Sequence, residues 1–596
     1  MKSFKRSTDQ QVVISLVGDS GDGIQLIGAS LAKSAGAYNI DVNTIASYPA
    51  EIRAPAGTLP GISGFQLQFS VTKKFTAGDK VDILVAMNPA ALKRGMINTH
   101  KNTLIIVNSD SFDERALSKA GYIDNPIKSE EFKFYKFLEI PITTLIISAL
   151  KNDNLSYSQS SKCKNMLAFG VLMYMLSLNR DTAKKWIEEK FKKKQDIQQA
   201  NLKAFDTGFN FAEISELSYE EYDFSRACKT SNNVSQLTGN EAISVACLDA
   251  VQKFERSLLV AGYPITPASS VLQLLSKFNC SQLKVFQAED EIAAMSAAIG
   301  AAYGGSLSVT ITSGPGFDLK AEAIGLAVVA ELPTVVINVQ RSGPSTGMPT
   351  KTAQTDLLAA VYGRHGECPV PVVAAASPAD CYYALLEAFK ISVKYMTPVI
   401  FLSDAYLANA SESCSLDFSS HKSSYLSDLD NSTRPWILPG TENAEYQTGG
   451  LEKDMVSGQI SYEPHNHQQR TNVRNKKLED LSKHQIFKIH GPKQGKILVL
   501  TWGSVYGSAY SAVECLFKEN KSLSHLHLRH LHPISSQLKT ILDKFEKIII
   551  PELNDGQLSK IIQAKFLIPT IPCNKITGQN FSVSELVEFF KKHLGE

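Results

Sequence analysis

The sequence predicts a multidomain α/β protein built on parallel sheets. Three observations predict it. Short, β-branched apolar runs alternate with helical patterns from Leu258 to Gln340, the series expected of βαβ units. Loops rich in Gly, Pro, Ser and Thr follow those runs, where α/β proteins place their sites. The chain is 596 residues long, enough for about three or four domains.

Composition narrows the function classes. The chain has 61 basic and 59 acidic residues, a net charge of +2, which argues against a dedicated nucleic-acid-binding role. No stretch reaches the roughly 18 uninterrupted apolar residues of a membrane span. The basic start MKSFKRSTDQQ leads into no signal-type apolar core. Nine cysteines are scattered from Cys163 to Cys573, no two within three residues of each other. That spacing offers no CxxC metal or cluster pattern, and it fits reduced thiols in a cytoplasmic setting.

Residues 1–205 read as a first α/β domain. Val12 to Val17 suits a buried parallel strand. Gly18, Gly21 and Gly23 then turn the chain into a helix that buries Ile24, Ile27, Leu31 and Ala35. Such a loop either holds a phosphate at the helix start or is simply a tight turn. The triplet Gly21-Asp22-Gly23 lacks a suitably placed asparagine downstream, so no metal is assigned to Asp22. SYPAEIRAPAG is a polar loop carrying Glu51 and Arg53. FQLQFS alternates like an exposed strand, and VDILVAMNPAAL and NTLIIVNSDS read as buried ones. KKWIEEKFKKK is a solvated helix face. The polar, acidic stretch 206–235 is expected to be a linker.

Residues 236–410 form the central domain. Its first helix is capped by Thr238 or Asn240, with Glu241 in the first turn. Strand and helix then alternate through SLLVAGY, PASSVLQLLSKF, LKVFQA, EIAAMSAAIGAAYG, SLSVTITS, LKAEAIGLAVVAE and PTVVINVQ. The helix after Glu289-Asp290-Glu291 is thin, with Ala293, Ala294, Ala297, Ala298, Gly300 and Ala301, so it can approach a sheet or another subunit closely.

Four segments carry a resemblance: GYPITP (Gly262 to Pro267), QAEDEIAAMSAAIGAAYGG, TSGPG (Thr312 to Gly316) and QRSGPSTGMPTKT. They resemble the 2-oxoacid:ferredoxin oxidoreductases, specifically the α subunit of the two-subunit form with a γ-type domain fused ahead of it. GDSGDGIQLIG with SYPAEIR resembles that γ-type domain. The resemblance implies that the central domain is the pyrimidine-binding domain for thiamine diphosphate. From residue 486 the chain resembles the family's transketolase C-terminal-like domain.

The chemistry assigns roles. A carboxyl hydrogen-bonded to the cofactor's pyrimidine nitrogen promotes the imino form that activates the thiazolium carbon, and it works best in a dry site. Glu289 and Glu291 are both candidates. Glu291 is preferred because Gly300 lies nine residues on, a spacing seen in thiamine diphosphate enzymes. The alternative is that the acids only complement a helix dipole. The resemblance places Tyr263, Pro264 and Ile265 at the cofactor and makes Thr266, between Pro264 and Pro267, a contact to the substrate carboxylate. Arg341 and Thr350 are expected at the distal carboxylate of 2-oxoglutarate, the planar fork of Arg341 suiting such a group. The other reading of Arg341 is a structural pair with an acid such as Asp356. Ser313 and Gly314, with Thr312, either line the cofactor or form a turn. Lys351 and His365 are weaker candidates.

Residues 411–485 are polar and poorly periodic, an expected extended connection. Lys453 stands where the family often shows a histidine, so that loop is given no role. The domain from 486 to 596 resumes the strand–helix pattern. Its His525, His527, His530 and His532 read as strand and strand-end residues rather than metal ligands. Glu552, Asn554 and Gln557 lie at a strand end and are candidates for a subunit interface.

The expected function is oxidative decarboxylation of a 2-oxoacid, with 2-oxoglutarate favoured over pyruvate or a broad range, in which coenzyme A is acylated and ferredoxin reduced. The thiamine diphosphate site would be shared with a β subunit in an (αβ)n assembly. That partner would supply Mg²⁺ and an iron–sulfur cluster, for which this chain has no motif. A non-catalytic scaffold subunit is the rival from another class.

Overall fold

The computed structural model describes residues 11–36, 40–49, 54–217, 234–416, 436–442 and 449–595. The chain divides into two compact units: Met1–Gln236 with Ala410–Leu416, and Leu237–Asn409 with Asp417–Glu596. Glu51 and Arg53 lie outside the described residues. No described helix is long and apolar enough to cross a membrane.

In the first unit the strands lie in the order Lys136–Ile140, Thr99–Asn108, Val81–Ala86, Gln11–Asp19, Ile62–Ser70 and Asp41–Ser47, with Ser411–Cys414 paired to the last. Gln11–Asp19 is parallel to Val81–Ala86 but antiparallel to Ile62–Ser70, so the sheet is mixed. The expected exposed strand FQLQFS is in fact a central, largely buried one. Its glutamines are tolerated inside because Gln66 donates to Ala77 O at 3.0 Å and Gln68 to Gln11 Oε1 at 3.2 Å. The helix Gln195–Ile214 runs beyond the expected boundary at 205, burying Ala204, Phe205, Gly208 and Ala212. Gly208 is required there, since a Cβ would meet the backbone of Leu167 on the helix Lys164–Met175.

The glycine loop after Gln11–Asp19 is filled by its own acids. Asp22 Oδ2 accepts Asp19 N at 3.0 Å, and both Asp19 oxygens accept Gly57 N at 2.9 and 3.1 Å. Gly23 sits at φ 70°, where a Cβ would strike the Asn165 amide. These contacts build a tight turn.

The second unit holds a seven-stranded sheet in the order His530–His532, Val372–Ala374, Val399–Asp404, Val335–Gln340, Leu307–Thr312, Leu258–Gly262 and Leu283–Gln287. All pairs are parallel except the edge strand His530–His532. A five-stranded sheet follows in the order Ile489–His490, Leu523–Leu528, Gly495–Trp502, Phe545–Glu552 and Ile571–Asn574. One apolar core joins the two sheets, with Ile324, Val336, Leu357 and Ile400 packed in the same cluster as Leu498, Trp502, Leu531 and Leu558.

Two expectations are corrected here. The stretch 411–485 is not extended throughout, because a 20-residue helix, Pro464–Lys483, occupies its end. Apolar periodicity missed that helix because its buried face is largely cationic: Arg470, Arg474 and Lys477 sit on Glu331 and Glu452. Glu552, Asn554 and Gln557 also do not face outward. Glu552 is fully buried and accepts Trp502 Nε1, Asn554 Nδ2 and the amides of Leu558 and Ser559. Asn554 and Gln557 reach back to Gln354 O and Thr355 O. They join the C-terminal sheet to the 354–358 segment of the same unit.

Candidate functional site

The site forms at the carboxyl ends of the parallel strands in the second unit, where loops emerge together. Leu258–Gly262 delivers the GYPITP loop, Leu283–Gln287 the acidic triplet, Leu307–Thr312 the TSGPG turn and Val335–Gln340 the Arg341 loop. These strand ends are unusually polar inside. Thr310 Oγ1, Ser313 Oγ, Asn338 Oδ1 and Arg341 Nε are all buried without a hydrogen-bond partner among the described residues. Unpaired buried groups are rare and call for a reason.

The three acids separate by burial. Asp290 caps the helix Glu291–Tyr303, its Oδ1 accepting Ala293 N at 2.7 Å. Glu289 is exposed, whereas Glu291 is 9% exposed. No hydrogen bond reaches the Glu291 carboxyl from the described residues. It rests instead against Gly316, where a Cβ would lie 2.7 Å from its Oε1 and would also strike Thr312. From below, Lys320 Nζ donates to the Glu291 carbonyl at 2.6 Å. Lys320 is fully enclosed, and burial pushes its ammonium down to about 8, against the pull of Glu291 and Asp290.

The GYPITP loop is held from two sides. Asn240 Nδ2 donates to Pro267 O at 3.0 Å, and Arg341 Nη1 donates to Thr266 O at 2.8 Å. Asn240 is therefore not the helix cap. That role falls to Thr238, which forms a capping box with Glu241. Tyr263, Pro264 and Thr266 are exposed along the loop, with Ile265 partly covered.

Arg341 is 7% exposed. Burial lowers its guanidinium below the ordinary value, with Asp356 opposing. Its loop closes on itself: Ser342 N donates to Lys351 O at 3.0 Å and Met348 N to Ser342 O at 2.9 Å. Gly347, at φ 48°, allows that closure, since a Cβ would run into Ser342 O. Arg341 and Thr350 thus flank the base of one closed loop. Asp356 accepts Asn338 Nδ2 at 2.9 Å, and a Cβ on Gly314 would lie 3.0 Å from its Oδ2. Burial pushes the Asp356 carboxyl up to about 6, the hydrogen bond from Asn338 opposing and Asp318 adding to the rise. No ion pair joins Arg341 to Asp356 among the described residues, so Arg341 is not held as the structural pair that its sequence position allows.

The residues fit a thiamine diphosphate pyrimidine. A dry carboxyl that meets no donor among the described residues faces a wall that a single Cβ would fill, and the Ser313 hydroxyl of the adjoining TSGPG turn is buried without a partner among the described residues.

Comparison with known proteins identifies the family. Residues 254–479 match the family described as "Pyruvate flavodoxin/ferredoxin oxidoreductase, thiamine diP-bdg", and residues 13–211 match "Pyruvate ferredoxin/flavodoxin oxidoreductase". The 2-oxoglutarate oxidoreductase subunit KorA of Mycobacterium tuberculosis is 41% identical over 99% of this chain and 93% of its own length. The chain belongs to the 2-oxoacid:ferredoxin oxidoreductase family. The 2-oxoglutarate synthase subunit KorA of Archaeoglobus fulgidus is 35% identical over 58% of this chain and 93% of its own. A solved 2-oxoglutarate:ferredoxin oxidoreductase from Magnetococcus marinus, with 2-oxoglutarate, coenzyme A and succinyl-CoA bound, superposes with a TM-score of 0.84. It is 27% identical, and the match covers 99% of this chain and all of that one.

For a 2-oxoacid:ferredoxin oxidoreductase subunit, the sequence motifs named most of the wall but not its supports. Lys320 is recognised only in three dimensions, while Gly316, Asn240 and Asp356 were named in sequence without the contacts they make. Gly316 stands in the TSGPG motif and Asn240 is one of two cap candidates, but nothing in their spacing sets them facing Glu291 and Pro267.

The histidines belong elsewhere. His525 and His527 both hydrogen-bond Thr501 Oγ1, at 2.7 and 3.0 Å. Burial pushes His525 down to about 3 and His527 well below its ordinary value. His530 does meet an acid, Glu387 at 2.8 Å, which the linear sequence hides 143 residues away. No group of three or more potential metal ligands gathers among the described residues. Lys453 is enclosed and donates to Gly449 O and to Leu451 O, a loop-closing role.

Proposed function

We propose that this chain is the α subunit of a 2-oxoglutarate:ferredoxin oxidoreductase. The reaction converts 2-oxoglutarate, coenzyme A and two oxidised ferredoxins into succinyl-CoA, CO₂ and two reduced ferredoxins. One observation carries the cofactor reading: the Glu291 carboxyl is buried against Gly316 and meets no donor among the described residues. The names of the relatives support the substrate.

When bound, thiamine diphosphate supplies a nucleophilic carbon and an electron sink for the decarboxylation. Glu291 would hydrogen-bond the pyrimidine nitrogen, and its dry surroundings would strengthen that bond. Ser313 and Gly314 would line the ring, with Tyr263, Pro264 and Ile265 along the other loop. Thr266 offers its hydroxyl to the reacting carboxylate. Arg341, already anchored through Nη1, turns its remaining donors to the distal carboxylate with Thr350.

Half of the machinery belongs to a β subunit. The cysteines lie too far apart in sequence for a cluster motif and the Gly21-Asp22-Gly23 triplet lacks its downstream asparagine, so the iron–sulfur cluster, Mg²⁺ and the diphosphate site are assigned to that partner. The helix Glu291–Tyr303 supports such an interface, because Ile292, Ser296 and Gly300 leave one side open and Gly300 has nothing within 4 Å of a built Cβ. We assign the assembly to the cytoplasm.

Co-expression with a β subunit tests the reading. The complex is expected to reduce ferredoxin or viologen with 2-oxoglutarate, dependent on thiamine diphosphate, and the isolated chain to be inactive. Full activity from the chain alone would refute the shared site. A preference for pyruvate in a substrate panel would move the specificity while leaving the reaction class.

A further inference from the structure

We infer that Lys320 is a positioning residue for Glu291: it grips the carbonyl of that residue and gives its carboxyl a fixed cationic neighbour. The inference rests on the proposed meeting of Glu291 with the thiamine diphosphate pyrimidine.

Lys320 lies between the helices Gly314–Leu319 and Ala321–Val329, at 0% exposure. Its one side-chain hydrogen bond among the described residues goes to Glu291 O at 2.6 Å. An ammonium carries three donors, and enclosing it with one acceptor is costly. Packing alone is better served by an apolar side chain of similar length. The charge therefore needs a use, and the nearest one is Glu291.

The short segment from Gly314 to Lys320 holds both ends of Glu291. Gly316 supports the carboxyl and Lys320 the carbonyl. Glu291 opens its helix, so fixing its carbonyl fixes where the side chain leaves the first turn. The charged groups facing Lys320 are Glu291 and Asp290 from the neighbouring helix start. Because burial brings its ammonium down to about 8, Lys320 loses its charge in the mildly alkaline range. The grip on Glu291 then weakens with pH in a way a purely packing residue would not produce.

The test reads cofactor binding rather than turnover. The αβ complex is titrated calorimetrically with thiamine diphosphate from about pH 6 to about pH 10. Wild-type affinity is expected to fall about tenfold as pH passes the Lys320 titration. Lys320→Arg, which keeps its charge throughout, is expected to lose that fall. Lys320→Met is expected to bind about tenfold more weakly at neutral pH and to show no alkaline fall. Melting of each apo complex records whether the fold is kept. Flat wild-type affinity across the range overturns the inference, whatever the variants do. So does Lys320→Met with wild-type affinity and pH response, or loss of the folded complex in both variants, which would assign Lys320 to the fold alone. Glu291→Gln separates the underlying reading: if it binds cofactor and turns over like wild type, the role of Glu291 fails, and with it the reason for Lys320.

Discussion

The Glu291 side chain rests on Gly316 so closely that a Cβ there would lie 2.6 Å from its Cγ and 2.7 Å from its Oε1. Nothing real approaches a methyl group so closely, so Gly316→Ala must displace one partner. Thr312 blocks the other direction, which leaves the flexible carboxyl to move. Displacing a catalytic group by about 1 Å costs on the order of a hundredfold in rate. Gly316→Ala is therefore expected to fold and to lose about that much kcat, approaching Glu291→Gln. Steady-state kinetics of the αβ complex beside a melting curve check this. A folded Gly316→Ala with wild-type kcat would remove the carboxyl from that position.

Arg341 holds one observed contact and is assigned a second by the proposed function, and kinetics can separate the two. Its Nη1 holds Thr266 O at 2.8 Å, so truncation loosens the loop that any 2-oxoacid meets. In the proposed role its other donors serve the distal carboxylate, which only the dicarboxylate substrate has. Arg341→Ala is thus expected to lower kcat for 2-oxoglutarate and pyruvate alike. The rise in KM is expected to be about tenfold or more larger for 2-oxoglutarate, the loss of a charge-assisted contact. Equal KM changes would confine Arg341 to holding the loop.

Asp356 gives a pH signature. Burial raises its carboxyl to about 6 from an ordinary value of 3.8. The folded chain then holds a proton there that the unfolded chain has released, between about pH 4 and 6. Its favourable contribution is complete below the unfolded value and is lost as pH rises through the folded one. Above that window the cost is about 3 kcal/mol. Asp356→Asn imitates the protonated form and can still accept from Asn338. Relative to wild type it is expected to raise Tm at neutral pH and to leave it unchanged near pH 4, as scanning calorimetry at the two pH values will show. A Tm difference independent of pH would rule out titration of Asp356.

Much of this was legible because strands declare themselves. Runs such as Leu307–Thr312 and Val335–Gln340 are apolar and β-branched enough to read as buried, and the motifs at their ends placed Glu291, Thr266 and Arg341 in neighbouring loops. Glutamines misled the reading of Ile62–Ser70, because hydrogen bonds to Ala77, Gly78 and Gln11 let them lie inside a strand whose alternation suggests solvent. Lys320 was invisible for a similar reason: a lysine between two apolar helices reads as surface until its burial on Glu291 is seen. Such supports depend on contacts between residues far apart in sequence, which neither periodicity nor spacing encodes.

The helix Pro464–Lys483 makes the same point with a measurable consequence. Its inward face sets Arg470, Arg474 and Lys477 beside Leu478 and Leu481, so ion pairs share its docking with apolar packing. Glu331, 3% exposed, accepts Arg470 Nη2 at 3.1 Å and Lys477 Nζ at 2.6 Å, while Arg474 Nη2 reaches Glu452 at 2.6 Å. Removing one partner from a buried network leaves uncompensated charge and costs roughly 3–5 kcal/mol, even where the intact network adds little net stability. Glu331→Gln is therefore expected to lower Tm by several degrees. Adding Lys477→Met should restore part of the loss, because the double variant removes a cation together with its anion. Melting of the two single variants and the double variant decides it: additive losses would mean that Glu331 and Lys477 stabilise the helix independently, and the network account would fall.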